Sequence, residues 1–462
     1  MANDFADVVV LVPGITGSVL ERDGQEIWGT SLDTVLRGLF SGGRTLDALK
    51  LDGDDPDVDD LGDGVRATRL VNDVHLFPGV CAIDGYTKIA RRLRQRLGLS
   101  PGVNYFEFPY DWRRDNRVAA RALQRFSGGW LKTRRTTHPN AKLVLLAHSM
   151  GGLVSRYFLE VLGGAADTRA LVTFGTPYRG SINALETLVN GIKKAGVLDL
   201  TELTRSYTSI YQLLPIYPCI DRGDQRLVHV IEALDTLPFT AGQRERVTAA
   251  EAFHRRIEAA VTDNLKASAS AADRYVSYPI VGIDQPTSQT AIARNGALEI
   301  LRSRDTEDEG GDGTVPRVSA SPIEMGEARA MYPVARHGSL QNTTSVLDQV
   351  CGILTPPRDL DRARGDAPVF IDDVTLSLEL DSLFGRDEPV RFAVKPSGGT
   401  PDLDATIAST ADAAPLRTLS LEARGTEWTS GEAPPLPPGV YRLTVSGDPT
   451  QVTPLTEIFT VV

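Results

Sequence analysis

The chain has 462 residues, of which 41% are hydrophobic and 24% charged; this is too apolar for general disorder and long enough for one large core plus a smaller one. A formal charge of -11 argues against a nucleic-acid partner and against membrane attachment through a polybasic patch. Three widely spaced cysteines, Cys81, Cys219 and Cys351, argue against a disulfide framework and form no CxxC pattern, so neither a metal nor a cofactor is expected.

The opening MANDFADVVVLVPG has no basic n-region or cleavable apolar segment, and no run approaches the roughly 18 apolar residues of a spanning helix. The expected location is cytoplasmic. DVVVLV (Asp7 to Val12) is the first of several short, continuously apolar runs. The others are NYFEFPY (Asn104 to Tyr110), KLVLLA (Lys142 to Ala147), ALVTFG (Ala170 to Gly175) and YVSYPIVGI (Tyr275 to Ile283). Apolarity without alternation predicts strands buried on both faces of a parallel sheet.

Between them lie helical patterns. YTKIARRLRQRL (Tyr86 to Leu97) carries Ile89, Leu93 and Leu97 on one face, with arginines opposite that read as a solvated surface, and VAARALQRF follows the second strand. Strand and helix in alternation predict a doubly wound α/β sheet. Two long excursions break the rhythm. The first, from about Glu21 to Gly85, includes the acidic stretch LDGDDPDVDDLGDG (Leu51 to Gly64), which lacks the glycine and glutamate of an EF-hand loop and reads as a solvated loop. The second, residues 181–273, is mostly helical and contains the apolar YTSIYQLLPIYPCI. It reads equally well as a cap over a site or as ordinary core packed downward.

RAMYPVAR (Arg329 to Arg336) reads as a further strand within residues 1–355, the first expected domain. A proline-rich charged linker is expected at 356–367. From 368 to 462, VTLSLEL, VRFAVKP, LRTLSLEA, GVYRLTVSG and TEIFTVV predict an all-β, immunoglobulin-like sandwich without a catalytic constellation of its own.

The chemistry centres on KLVLLAHSMGGLVSRYF. A buried strand ends, Ser149 stands at the apex of a turn, and a helix follows. In such an elbow the residues two before and two after the serine must be small, and Ala147 and Gly151 are. A serine hydroxyl needs a base to take its proton and an acid to orient the base. In α/β-hydrolases these follow in the order serine, acid, histidine. Of the six histidines, His229 and His254 precede the last core strand, whereas His337 lies in a loop after a final strand, where the base is required. Two acids compete: Asp284, at the end of YVSYPIVGID, and Asp312, in the glycine-flanked GGDGTVP. For the oxyanion, the N–H groups of Met150, after the nucleophile, and Ile15, in the PGITGS turn after the first strand, are the candidates.

With VLVPGITGSVLE, YDWR (Tyr110 to Arg113), AHSMGG, FGTPYRGS (Phe174 to Ser181), GDGTVP (Gly311 to Pro316) and His337 in this order, the chain resembles the lecithin:cholesterol acyltransferase family. The resemblance covers most of residues 7 to 350 and leaves the sandwich outside. It implies an α/β-hydrolase fold, Ser149 as nucleophile, Asp312 as acid, His337 as base, and oxyanion donors at Ile15 and Met150. The expected activity is that of a serine esterase, phospholipase or O-acyltransferase working through an acyl-enzyme on lipid acyl esters. Expected partners are a lipid or other acyl-ester substrate, a membrane surface touched through the cap, and a protein bound by the sandwich. The contrasting expectation is an interaction protein whose sandwich recruits a partner while the hydrolase fold serves as a scaffold.

Overall fold

The computed structural model describes residues 5–29, 48–72, 75–77, 81–194, 198–224, 226–267, 274–325, 330–355, 374–398, 401–410, 414–422, 427–448 and 452–462. The expected linker at 356–367 and the first residues of the expected sandwich lie outside them. Five strands, β1 (Val8–Val12), β2 (Tyr105–Glu107), β3 (Leu143–His148), β4 (Thr168–Phe174) and β5 (Val276–Ile280), form one parallel sheet in the order β5-β4-β3-β1-β2. Val9 stands opposite both Tyr105 and Val144, and Val172 opposite both Leu146 and Tyr278.

Alternate residues of β1 feed opposite sides. Val8, Val10 and Val12 join one apolar cluster, and Val9 and Leu11 join another. Because both faces are covered, the central strand β1 is apolar at every position. On one side pack α1 (Thr87–Leu97), through Ile89, Leu93 and Leu97, and α6 (Thr344–Leu354), through Val346, Leu347 and Val350. On the other pack α2 (Asn116–Arg134), α3 (Gly151–Arg156), α4 (Ile182–Val189) and α5 (Ala241–Ala267). Helix α1 stops at Gly98, whose φ of 67° suits a left-handed cap, and the Asp115 side chain caps α2 by accepting the Arg117 N–H. This is the doubly wound α/β-hydrolase architecture. Among the described residues no helix is long and apolar enough to cross a membrane.

Three sequence expectations change. Residues 330–336 of RAMYPVAR form no strand: Met331 and Val334 make isolated parallel bridges to Ile280 and Ile283. Pro333 accepts the Ile283 N–H but has none to return, so the ladder cannot continue. The second excursion is less purely helical than its sequence suggested. It shares a four-stranded sheet, Ile220–Asp221 and Leu227–Val228 with Thr290–Arg294 and Ala297–Leu301, so part of it comes after β5. Tyr207, Ile210, Tyr211, Leu213, Leu214 and Tyr217 are buried in the same apolar cluster as β1, which satisfies the core reading of that stretch.

The acidic stretch is not simply solvated. The Arg113 side chain is fully buried and pairs with Asp111 and Asp63 at 2.7 and 3.0 Å. Arg114 holds Asp54 at 3.0 Å and donates to the carbonyls of Asp55, Val58 and Asp59. The arginines of YDWRR thus wrap the loop onto the body, and their charge is compensated pair by pair.

The C-terminal residues form two sheets around their own core. One is β6 (Leu376–Leu380), β8 (Val390–Pro396) and β11 (Thr429–Ala433). The other runs β7 (Leu383–Phe384), β13 (Leu455–Val461), β12 (Gly439–Ser446), β9 (Asp402–Ser409) and β10 (Pro415–Glu422). In β8, Val390, Phe392 and Val394 point inward while Arg391 and Ala393 point away, the period-two pattern of a sandwich. Gln285 ties this unit to the sheet domain, meeting Leu376 O and Leu378 N at 3.3 Å each. Arg442 pairs with Asp84 at 3.0 Å.

Candidate active site

Ser149 follows β3 with φ of 52°, a left-handed conformation that a non-glycine residue holds only when its surroundings enforce it. Here its N–H donates to Phe174 O and its carbonyl accepts from Gly152 N and Thr176 Oγ1, at 2.9, 3.0 and 2.9 Å. The small neighbours are required by contact. A Cβ on Gly151 would lie 2.3 Å from Pro13 O, and one on Gly152 2.0 Å from Thr176 Oγ1.

His337 reaches the serine. Its Nε2 is 2.9 Å from Ser149 Oγ, and its Nδ1 is 2.7 Å from Asp312 Oδ2. The other oxygen of Asp312 accepts from the N–H groups of Thr314 and Val315 at 3.0 and 2.7 Å, which orients the carboxylate. The backbone repeats the connection, since His337 N–H donates to Asp312 O at 2.8 Å. All three residues are buried, with 5%, 4% and 1% exposure for Ser149, His337 and Asp312. Gly175, with φ of 55°, lies under the pair; a Cβ there would come within 2.6 Å of Asp312 Oδ2 and 2.9 Å of His337 Nδ1. Asp284 is exposed and sits apart, its carbonyl accepting from the Ser377 hydroxyl of the sandwich.

The PGITGS turn lies against the elbow, so that a Cβ on Gly14 would stand 2.8 Å from Ser149 Cβ. Ile15 and Met150 are both buried at this junction. The YDWR segment supports the turn from behind. Tyr110 Oη donates to Pro13 O at 2.9 Å, and Trp112 Nε1 donates to Ser18 O at 3.1 Å.

Sequence reasoning passed over His148 and Tyr86. Gly14 N–H donates to Tyr86 Oη at 2.8 Å, Tyr86 Oη lies 3.0 Å from His148 Nδ1, and His148 Nε2 lies 3.1 Å from His337 O. A carbonyl can only accept, so Nε2 carries the proton and Nδ1 accepts from the tyrosine. Burial, and then the nearby His337, push His148 down to about 3, so it is neutral. Its place directly before Ser149 in AHSMGG was the available signal. His254 is buried in α5 and bonded to Gln212 O at 2.7 Å, away from the site. Burial lowers it to about 4.

Two cavities meet at His337, with Asn183 and Thr314 also lining both. The first is apolar: Ile15, Pro177, Ala184, Ile210, Leu213 and Val315 surround Ser149 and His337. Ile210 and Leu213 come from the second excursion, so that segment also covers the site, as its cap reading expected. The second cavity, about 320 Å³, is polar and opens on Asp312, His337 and Gly338.

The family model for lecithin:cholesterol acyltransferase matches residues 54–232. The resemblance therefore holds over the stretch containing YDWR, the Ser149 elbow and FGTPYRGS, whereas GDGTVP and His337 lie beyond it. No curated protein matches the chain. Among solved structures, a chain of the Tle4-Tli4 complex is similar at 15% identity and TM-score 0.44, covering 75% of this chain and 98% of that one. The mature Bacillus licheniformis lipase BlEst2 is 10% identical with a TM-score of 0.32, covering 77% of this chain and 95% of that one. A CARDB domain from Pyrococcus furiosus, solved with di-metal ions, is 16% identical, covering 21% of this chain and 98% of its own at TM-score 0.17.

Proposed function

We propose that this chain is a serine esterase of lipid acyl esters that works through an acyl-enzyme, with water or an alcohol taking the acyl group in the second step. The family match over residues 54–232 supports the coarser reading of a lipid esterase or acyltransferase. The observation that carries the finer one is the run of contacts from Ser149 Oγ to His337 Nε2 to Asp312, at 2.9 and 2.7 Å, at the floor of an apolar cavity.

In this reading the acyl chain occupies the apolar cavity, where burying each methylene contributes about 0.8 kcal/mol. His337 Nε2 takes the Ser149 proton as Oγ attacks the ester carbonyl. Asp312 holds the imidazole with Nδ1 protonated and stabilises the imidazolium that forms. The N–H groups of Ile15 and Met150 stabilise the oxyanion, a role commonly worth about 10² to 10³ in rate per donor. The intermediate collapses when His337 gives its proton to the departing alkoxide. The same histidine then deprotonates water or an acceptor alcohol, which attacks the acyl-enzyme and frees Ser149.

A fluorophosphonate probe followed by peptide mass spectrometry tests the nucleophile. Labelling at Ser149, lost in Ser149→Ala, is the expected result. Folded protein that is not labelled, or is labelled at another serine, overturns the reading.

A further inference from the structure

The polar cavity beside His337 is not bounded by the hydrolase fold alone. Its far wall is the sandwich, through Leu380–Ser382, which joins β6 to β7, and through Glu457 and Ile458 of β13. The wall is fastened at the base of the site. Arg336, next to His337, donates to Leu378 O at 2.5 Å and pairs with Glu457, both side chains being largely buried.

We infer that this chamber receives the alcohol half of the ester, and that the sandwich and the cap make it a site that prefers cationic alcohols to uncharged or anionic ones. The inference rests on the proposed esterase reading, and three observations carry it. First, the two cavities share His337, Asn183 and Thr314. An ester lying in the apolar one by its acyl chain can therefore extend its alcohol into the polar one. Second, the departing alkoxide takes its proton from His337 Nε2, beside Ser149, and the chamber adjoins that same imidazole, which lines both cavities. Third, the lining charge is one-sided. Among the described lining residues Arg336 is the only cation, and Glu457 already neutralises it.

Glu186 of α4 and Asp381 of the sandwich face the same space with no lining cation left for them. Glu186 is half-buried, and burial with no opposing charge pushes its carboxyl above the ordinary range. A cationic alcohol would supply the missing counter-charge, and an anionic one would meet like charge in a partly dehydrated space. Catalysis would not change in kind, because the alcohol leaves with the proton from His337 whatever its own charge.

The test compares two esters of one medium-chain fatty acid, the choline ester and its uncharged isostere, the 3,3-dimethylbutyl ester, with the p-nitrophenyl ester as reference. The full chain should turn over the choline ester with several-fold higher kcat/KM than the isostere. Glu186→Gln and Asp381→Asn should each bring the ratio toward one, and Asp381→Lys should invert it. A ratio at or below one in the unsubstituted protein, or one that these substitutions do not move, overturns the chamber while p-nitrophenyl turnover leaves the esterase reading standing. Absence of turnover of all three esters overturns both.

Discussion

His148 Nε2 donates to the backbone carbonyl of His337 across 3.1 Å, joining the residue before the serine to the residue that faces it. With Tyr86 bridging His148 to Gly14 N–H, one hydrogen-bonded line crosses the turn after β1, the elbow after β3 and the His337 loop. Replacing Tyr86 by Phe removes two bonds from it, to Gly14 N–H and to His148 Nδ1, each worth about 1 kcal/mol. The expected result is a fall in kcat of about five- to tenfold with KM little changed, measured on a p-nitrophenyl ester.

Asp312 and Asp284 can be separated in the same assay. Asp312→Asn keeps the shape but loses the charge and the tautomer control, and should lower kcat by about 10⁴. Asp284→Asn alters an exposed side chain that takes no part in the hydrogen bonds of His337 and should leave kcat within about twofold.

Gly175→Ala should disable a site whose reacting residues are all intact. The added methyl would press on Asp312 Oδ2 and His337 Nδ1 at 2.6 and 2.9 Å in a backbone with φ of 55°. Displacing that pair by a fraction of an ångström should cost about 10² in kcat. Circular dichroism would check that the fold is retained.

Acid should destabilise the fold through two buried histidines. His148 and His254 are lowered to about 3 and about 4, so at mildly acidic pH the unfolded chain binds protons that the folded chain does not. Their contribution is complete above the unfolded value near 6.5. It is lost as pH falls toward the folded values, at about 1.4 kcal/mol per pH unit for each histidine. Urea midpoints at pH 7.5 and 5 should show the decline, and His254→Gln should flatten it.

Arg113→Met should destabilise by about 3–5 kcal/mol, because Asp111 and Asp63 would keep their charge beside a buried thioether. The urea midpoint measures it, and the Leu51–Gly64 loop should become the first site of proteolytic cleavage.

The central sheet was legible because its inner strands β1, β3 and β4 are covered on both sides, which writes largely apolar runs into the sequence. Ser149 was legible for a local reason, the small residues around it, which contact demands at Gly151 and Gly152. The pairing of His337 with Asp312 was less so: strand ends alone left Asp284 in contention, and only the ordered motifs favoured Asp312. The loop burying Arg113 and Arg114 misled because an acidic stretch looks solvated when the arginines that bind it lie far along the chain. Strands β9 and β11 escaped notice because their outward residues are polar or acidic and their inward ones few, Leu403, Ala405 and Ile407 in the first and Ala433 in the second. The second cavity had no sequence signature, since Arg336 and Glu457 belong to different folding units.

That last contact also sets an order in time. During synthesis the elbow at Ser149 and the sheet around it can close while β13 is still unmade, because domains form from the N-terminal side as the chain emerges. Arg336 cannot find Glu457 until nearly the whole polypeptide has been translated. The loop carrying His337 is therefore the part of the site that acquires its neighbours last, and a nascent chain holds its serine in place before the wall beside its histidine exists.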